Sequence, residues 1–200
     1  MNGLQVYVRA LRLERDKVPS FDEYPFAIPS IRSLDELALN PQVTFFVGDN
    51  GSGKSTLVEA IAILAGFNAE GGSRNFSFAT RRSESDLKNH MRLVRGTRCP
   101  RTGYFLRAES YFNVATEIER LDEGPSVGDD PPIIASHGGR SLHEQSHGES
   151  FLALINHRFF GGGLYILDEP EAALSPPAPA DAAVAHARDA PVTKNSPAIA

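Results

Sequence analysis

The segment that most constrains this chain is GDNGSGKS, residues 48–55, which fits the pattern GxxxxGK[ST]. The residues before it, VTFFV (Val43–Val47), are typical of a short buried strand. The residues after it, STLVEAIAILAGF, carry apolar side chains at helical spacing and predict a helix. Strand, glycine-rich loop and helix in this order are the context that a phosphate-binding loop requires.

The residue types of this loop explain its chemistry. Glycines allow the backbone N–H groups and the positive end of the following helix to face phosphate oxygens. Lys54 is expected to reach the β and γ phosphates of ATP, and the Ser55 hydroxyl is expected to bind Mg²⁺. The predicted nucleotide-binding residues are Gly48, Asn50, Gly51, Ser52, Gly53, Lys54, Ser55 and Thr56.

A second segment, LYILDE (residues 164–169), reads as a buried strand that ends in two carboxylates. Asp168 is the predicted second Mg²⁺ ligand, and Glu169 is the predicted catalytic residue that polarises the attacking water. This second segment alone is a weak signal, because an apolar run followed by Asp-Glu is common in α/β proteins, but beside the glycine-rich loop it predicts ATP binding and hydrolysis.

Composition limits the alternatives. The chain has 200 residues, 41% of them hydrophobic and 22% charged, with a net charge of −5, which suits a globular protein of one domain. No apolar run reaches the length of a membrane-spanning helix, so membrane insertion is not expected. The single cysteine, Cys99, cannot form an internal disulfide, and we therefore expect a cytoplasmic protein.

The remaining pattern is that of an α/β protein. LQVYVRALRL (residues 4–13) alternates and then shifts phase, which predicts a strand with a bend. The proline-rich connector after it leaves room for a helical turn near Leu34–Leu37. GYFLRAES (103–110) predicts a strand. Two further helices are predicted, FNVATEIERL with Val114, Ile118 and Leu121 on one face, and FLALINHRFF before Gly161–Gly163.

Charge is segregated along the chain. Residues 74–107 contain nine positive side chains against Glu84 and Asp86, a net of +7, so the rest of the chain carries −12. We expect an arginine-rich helical lobe at about residues 68–103 and consider the Arg74–Arg107 region a candidate nucleic-acid surface. A solvated charged face is the alternative interpretation.

Three segments resemble the ATP-binding-cassette (ABC) class of ATPases: GDNGSGKST, EQSHGES (Glu144–Ser150) and DEPEAAL (Asp168–Leu174). The phrases RNFSFATR, FLRAESYFNVATEIERLD and SLHEQSHGESFLAL are similar to a group of small soluble bacterial ATPases described as AAA-family proteins. The resemblance covers residues 4 to about 176.

The resemblance implies an α/β P-loop hydrolase fold with mostly parallel strands, helices on both sides and an antiparallel N-terminal portion. It also implies a nucleotide-dependent homodimer with ATP between the two copies. In such a dimer Ser146, Gly148 and Glu149 would form the signature that contacts the γ-phosphate held by the opposite copy, with His147 replacing the signature's first glycine.

The chain also departs from the class. No glutamine lies between Ser55 and Gln145, which weakens the interpretation as a transporter subunit, and a membrane partner is therefore not expected. Residues 176–200 are rich in alanine and proline and predict a disordered tail, in which His186 follows no apolar strand. We therefore expect a truncated or frame-shifted C-terminus and impaired turnover. The alternatives left open are a transporter's ATP-binding subunit, a DNA-linked repair or defence ATPase, and a truncated ATP-binding product.

A few other residues have weaker signals. His137, His143 and His147 lie close in sequence but lack a carboxylate at ligand spacing, so we expect loop residues rather than a metal site. Glu171 is expected to cap a turn rather than assist Glu169. The resemblance implies an aromatic residue that stacks on adenine, and the candidates are Tyr7, Tyr24 and Phe26, although a place in the core is the favoured interpretation for these residues.

Overall fold

The computed structural model describes residues 6–74, 85–108, 111–123, 132–137, 139, 141, 143, 147–159 and 161–170. These residues divide into two compact units. The first unit contains residues 6–69 and 85–100, and the second contains residues 70–74 and the described residues from 101 onward. The expected single domain over residues 1–175 stays a prediction.

The first unit is built on an antiparallel sheet. Strand β1 (Val8–Leu13) lies in the middle, with β2 (Glu36–Ala38) on one side and β4 (Met91–Arg95) on the other. Both pairings are antiparallel, with Leu11 opposite Leu37 and Leu93. The expected antiparallel N-terminal portion is therefore confirmed.

The phase shift in the β1 sequence has a structural counterpart. The pairing of β1 with β4 changes register between Val8 and Ala10, and the buried positions change from alternation to the adjacent pair Ala10 and Leu11. A bulge of this kind inserts one residue into a strand and changes the face toward which later side chains point. The predicted strand with a bend is confirmed.

The connector after β1 differs from its prediction. A short helix α1 (Pro29–Arg32) comes earlier than the expected turn near Leu34–Leu37, and residues in that expected turn belong to β2. Proline occupies the first position of α1, where its missing N–H costs no helical bond and its φ angle suits the helix. The stretch that includes Leu37 pairs with β1 instead, so the predicted turn is wrong.

Helix α2 (Lys54–Leu64) confirms the helix predicted after the glycine-rich loop. It packs against β4 and against the 3₁₀ helix Asp86–His90. Its buried side chains include Glu59, whose Oε1 accepts a hydrogen bond of 2.9 Å from the N–H of Ser85. The other buried residues of α2 are Leu57, Val58, Ala60, Ile61 and Ala62.

The segment Val43–Val47 does not form the predicted buried strand. Among the described residues no strand pairs with it, and Val43, Phe45 and Val47 are 46%, 73% and 73% exposed. A strand buried on both faces needs neighbours that take up its N–H and C=O groups. The β-favouring composition alone does not supply those neighbours, so the expectation of a buried strand here is wrong.

The second unit contains a mixed three-stranded sheet. Its order is β3 (Gly72–Ser73), β5 (Thr102–Arg107) and β6 (Gly163–Asp168). The β5–β6 pair is parallel and the β3–β5 pair is antiparallel. Within the described residues this is the one parallel pair, so the expectation of mostly parallel strands is not met there. Strand β6 is predicted correctly, although Leu164 to Ile166 are half-buried rather than buried.

Helices α3 (Tyr111–Asp122) and α4 (His147–Arg158) pack with these strands. Both helices are predicted correctly, although α4 begins four residues earlier than the apolar pattern suggests. Val114, Ile118 and Leu121 fall at helical spacing within α3, as predicted, and Val114 and Ile118 are buried, whereas Leu121 near the helix end is 42% exposed. The core of the unit consists of Tyr104, Leu106, Val114, Ala115, Ile118, Phe151 and Leu154.

The arginine-rich region is not a helical lobe in the described residues. Its described part contains β3, the 3₁₀ helix Asp86–His90, β4 and β5, and it is divided between the two units. Two of these strands are held by pairing with distant segments, β4 with β1 and β5 with β6, which charge content does not reveal. The tail predicted at 176–200 lies outside the described residues.

Candidate nucleotide-binding site

The glycine-rich loop has the backbone conformation that its glycines predict. Gly51 has a φ of 81° and Gly53 a φ of 93°, in the left-handed region that glycine enters without strain. Gly53 is also the N-cap residue of α2, directly before Lys54. A Cβ atom there would lie 3.0 Å from Ile28 Cγ2 and 3.2 Å from Ser30 Oγ, so both conformation and space favour glycine.

Lys54 lies over the loop that precedes it. Its Nζ donates hydrogen bonds to the carbonyl oxygens of Gly48, at 2.7 Å, and Asp49, at 2.8 Å. The loop is tightened further by the bond from the Ser52 N–H to the Asp49 carbonyl, at 3.2 Å. The ammonium group is therefore held at the loop itself and not among distant surface residues.

The start of α2 supplies backbone donors. The hydrogen bond from the Leu57 N–H to the carbonyl of the N-cap residue Gly53, at 2.9 Å, marks the first turn of α2. The N–H groups of Lys54, Ser55 and Thr56 lie before Leu57 in the chain, at the start of the helix. N–H groups in that position have no acceptor inside their own helix, and the helix dipole adds positive potential there. Residues 48–51 are exposed and residues 52–56 are half-buried, so an anion can approach the loop from solvent.

Residues of the connector hold the loop and flank it. Ser30 Oγ donates a hydrogen bond of 2.5 Å to the Ser52 carbonyl. Tyr24 is 69% exposed, and its hydroxyl lies 3.3 Å from Thr56 Oγ1. Tyr24 is thus the candidate for adenine stacking that is both exposed and beside the loop, while Tyr7 is half-buried.

Phe26 is not a stacking residue. It is 2% exposed and packs edge-on against His90, with ring centroids 5.0 Å apart. A ring enclosed in this way has no free face for a base. Of the two interpretations of Phe26 from the sequence, adenine stacking or a place in the core, the structure shows the place in the core.

The predicted carboxylates end strand β6. Asp168 is buried, with 6% of its surface exposed, and Glu169 directly after it is exposed. Glu169 has a φ of 51°, the one non-glycine residue with a positive φ in the described part of the chain. A side chain in this conformation is strained by about 1 kcal/mol or more, and such strain is concentrated at functional sites.

Arg107 is a residue of this edge that the sequence analysis did not single out. It ends β5 and pairs in register with Asp168, and its Nε lies 3.6 Å from Asp168 Oδ2. A signal was present, because GYFLR and LYILD are two apolar strands that each end in a charged residue. What the sequence could not show is that these two strands are parallel neighbours.

The predicted residues are divided between the units. Lys54 and Ser55 belong to the first, and Asp168 and Glu169 belong to the second. Among the described residues there is no group of three or more His, Cys, Asp or Glu side chains that could hold a metal ion. His143 Nε2 lies 3.1 Å from Thr116 Oγ1 and 3.6 Å from Glu119 Oε2, both on α3.

The predicted signature lies at the start of α4. Gly148 is buried and Glu149 is exposed in the first turn, whereas Ser146 lies outside the described residues. Glu171 and His186 also lie outside them. The role of Ser146, Gly148 and Glu149 toward a second copy therefore stays a prediction.

The positive side chains of the arginine-rich region have different environments. Arg92, Arg95 and Arg98 of the first unit are exposed, and Arg95 donates to the Leu64 carbonyl at 3.0 Å. Arg107 is largely buried. Nucleic-acid binding through residues 74–107 stays a prediction.

Comparisons with known proteins add one finding. Residues 27–121 match the family model of the AAA domain. The match supports a nucleotide-binding ATPase of the AAA type, with the α/β fold of P-loop NTPases. It covers the glycine-rich loop and α2 and ends before α4 and β6.

Neither the curated proteins nor the solved structures gave a match. Within the described part of the chain, no helix has the length and apolar character needed to cross a membrane.

The two glycines that flank α2 provide a matched test of the loop's geometry. Gly53 and Gly66 both have a φ of 93°, but a Cβ atom at Gly66 would meet nothing within 4 Å. Gly66→Ala is expected to lower the free energy of unfolding by about 1 kcal/mol through backbone strain. Gly53→Ala is expected to cost about 1 kcal/mol more, because its methyl group also crowds Ile28 and Ser30. Urea unfolding measures both, and equal losses would contradict the tight contact at Gly53.

Proposed function

We propose that this chain is an ATPase that binds Mg-ATP at the Gly48–Thr56 loop and hydrolyses it. The observation that carries the proposal is the geometry of the loop at the start of α2. Two glycines in the left-handed region, backbone N–H groups at a helix start and the Lys54 ammonium are concentrated within a few residues. The AAA-domain match supports the same class of activity.

Lys54 would bind the β and γ phosphates. Its ammonium already lies over the Gly48 and Asp49 carbonyls, so it needs only to exchange these neutral acceptors for phosphate oxygens. Hydrogen bonds between charged partners are roughly twice as strong as neutral ones, which favours the exchange. The backbone N–H groups of residues 51–56 would bind the remaining phosphate oxygens.

The donor chemistry present suits Mg²⁺. Ser55 offers a hydroxyl oxygen and Asp168 a buried carboxylate, and Mg²⁺ in ATPases takes one or two such protein ligands together with phosphate oxygens and water. When bound, Mg²⁺ would neutralise charge on the β and γ phosphates.

Glu169 would orient the attacking water. Its exposure leaves the carboxylate accessible, and its position directly after the buried Asp168 fixes the backbone from which it projects. The strained φ of 51° is the cost of that placement. Tyr24, exposed and beside Thr56, would stack on the adenine ring.

We further propose the ABC-class form of this reaction, in a cytoplasmic protein. In it two copies associate around ATP, and Ser146, Gly148 and Glu149 of one copy contact the γ-phosphate bound by the other. The position of Gly148 and Glu149 in the first turn of α4 supports this, because a helix start favours a negatively charged ligand.

Lys54→Ala tests nucleotide binding. We expect the affinity for a fluorescent ATP analogue with Mg²⁺ to fall about a hundredfold or more, since the variant loses a charge-assisted contact to two phosphates. The matched control is Lys17→Ala, which removes an exposed lysine of the same unit that pairs with Glu14 at 2.8 Å. Equal affinities in Lys54→Ala and the unaltered chain, with both folded by circular dichroism, would contradict the site.

Glu169→Gln tests turnover and association. We expect unchanged ATP affinity and a steady-state rate lowered about a hundredfold or more, because the amide cannot act as a base toward water. Glu123→Gln, an exposed residue beyond α3, is the isosteric control. The Glu169→Gln chain should also accumulate as an ATP-bound dimer by light scattering.

Two outcomes of the Glu169→Gln experiment count against different parts of the proposal. Retained turnover would contradict the role of Glu169. A monomer in excess Mg-ATP would contradict the ABC-class dimer while leaving ATP hydrolysis intact.

A further inference from the structure

Arg107 and Asp168 form an ion pair at the carboxyl ends of two parallel strands. They are register partners in β5 and β6, and Arg107 Nε lies 3.6 Å from Asp168 Oδ2. The side chains are 18% and 8% exposed, so both charges are largely withdrawn from water. The neighbouring backbone is also joined, because the Ala108 N–H bonds to the Asp168 carbonyl at 3.3 Å.

An ion pair in this position has consequences for cation binding. A buried carboxylate is costly unless a cation accompanies it, and Arg107 supplies that cation. A metal ion that approaches the same carboxylate meets a fixed positive charge a few ångströms away. At such short separations charges in a partly buried site interact strongly, so Arg107 must weaken the binding of a bare divalent cation.

The electrostatic interaction with Arg107 is different for a cation that is bound to a nucleotide. Mg-ATP carries a net negative charge, and ligands of α/β proteins bind at the carboxyl ends of parallel strands, where Arg107 lies. A guanidinium group attracts phosphate oxygens and can move from a carboxylate to a phosphate. The same residue that repels free Mg²⁺ therefore favours the complex.

We propose that Arg107 is a positioning residue that holds the Asp168 carboxylate in place before nucleotide binds, and that makes Asp168 select Mg²⁺ accompanied by nucleotide over free Mg²⁺. The inference rests on the proposed function in one respect, namely that Asp168 is a Mg²⁺ ligand. It goes beyond that function by assigning a role to a residue of β5.

The test is thermal unfolding of the full chain without nucleotide, titrated with MgCl₂ at constant ionic strength. For the unaltered chain we expect little change in Tm at millimolar Mg²⁺. In EDTA the Tm of Arg107→Gln is expected to be lower than that of the unaltered chain. Its Tm is expected to rise with Mg²⁺, and the midpoint of that rise should lie at a Mg²⁺ concentration on the order of tenfold lower than for the unaltered chain. Arg107→Lys keeps the charge and is expected to behave as the unaltered chain does.

Three further variants make the result specific. Arg101→Gln removes an exposed arginine beside the opposite end of β5 and should leave the Mg²⁺ response unchanged. The double variant Arg107→Gln with Asp168→Asn should lose the gained response, because the carboxylate is gone. Arg107→Met keeps the packing of the side-chain stem and replaces Arg107→Gln if that chain fails to fold.

An unchanged Mg²⁺ response in both Arg107→Gln and Arg107→Met would overturn the inference, and so would a gained response that survives Asp168→Asn. ATP binding by the unaltered chain, measured in parallel, separates this result from the proposed function. Binding of ATP together with an unchanged response overturns the role of Arg107 alone. Absence of ATP binding overturns the proposed function, while the nucleotide-free titration still decides the role of Arg107.

Discussion

The start of helix α2 is the constraint on which the proposed site depends. The chain must leave an exposed loop and begin a helix at one residue, and Gly53 makes this change of direction with a left-handed φ. The helix is then fixed by burial, with Leu57, Val58 and Ile61 in the core of the first unit. Burial of three such side chains contributes several kcal/mol, of the order of 1.5–3 kcal/mol each. The loop therefore has a rigid support from which its N–H groups project.

In each unit, considered by itself, a carboxylate accepts hydrogen bonds from backbone N–H groups and so joins two elements. In the first, the buried Glu59 accepts from the Ser85 N–H and ties α2 to the segment that leads into β4. In the second, the Asp122 carboxylate accepts from the N–H groups of Ile133 and Ile134, at 2.6 and 2.8 Å. Buried carboxylates are stable only with such partners, so each one fixes a connection between two elements.

Local physical signals were enough to predict part of this structure. The glycine loop and α2 were predictable because left-handed glycines, a helix start and apolar spacing are all encoded within about twenty residues. The bulge in β1 was predictable because the apolar pattern itself changes phase. These features need no information about distant parts of the chain.

The features that depend on pairing between distant segments were not predictable. Val43–Val47 has the composition of a strand, but a strand requires partners, and none pairs with it among the described residues. Leu121 matches the helical period of α3, yet the helix ends next to it and the core does not extend that far. Arg107 and Asp168 are separated by 61 residues and meet only because β5 and β6 are parallel neighbours.

In the proposed function, the loop before α2 binds the phosphates of ATP through its backbone N–H groups. Amide hydrogen exchange with and without saturating Mg-ATP measures those groups directly. The account predicts slower exchange at residues 51–56 with Mg-ATP, because each N–H that bonds to a phosphate oxygen is protected from water. Unchanged exchange at these residues in the presence of saturating Mg-ATP would contradict it.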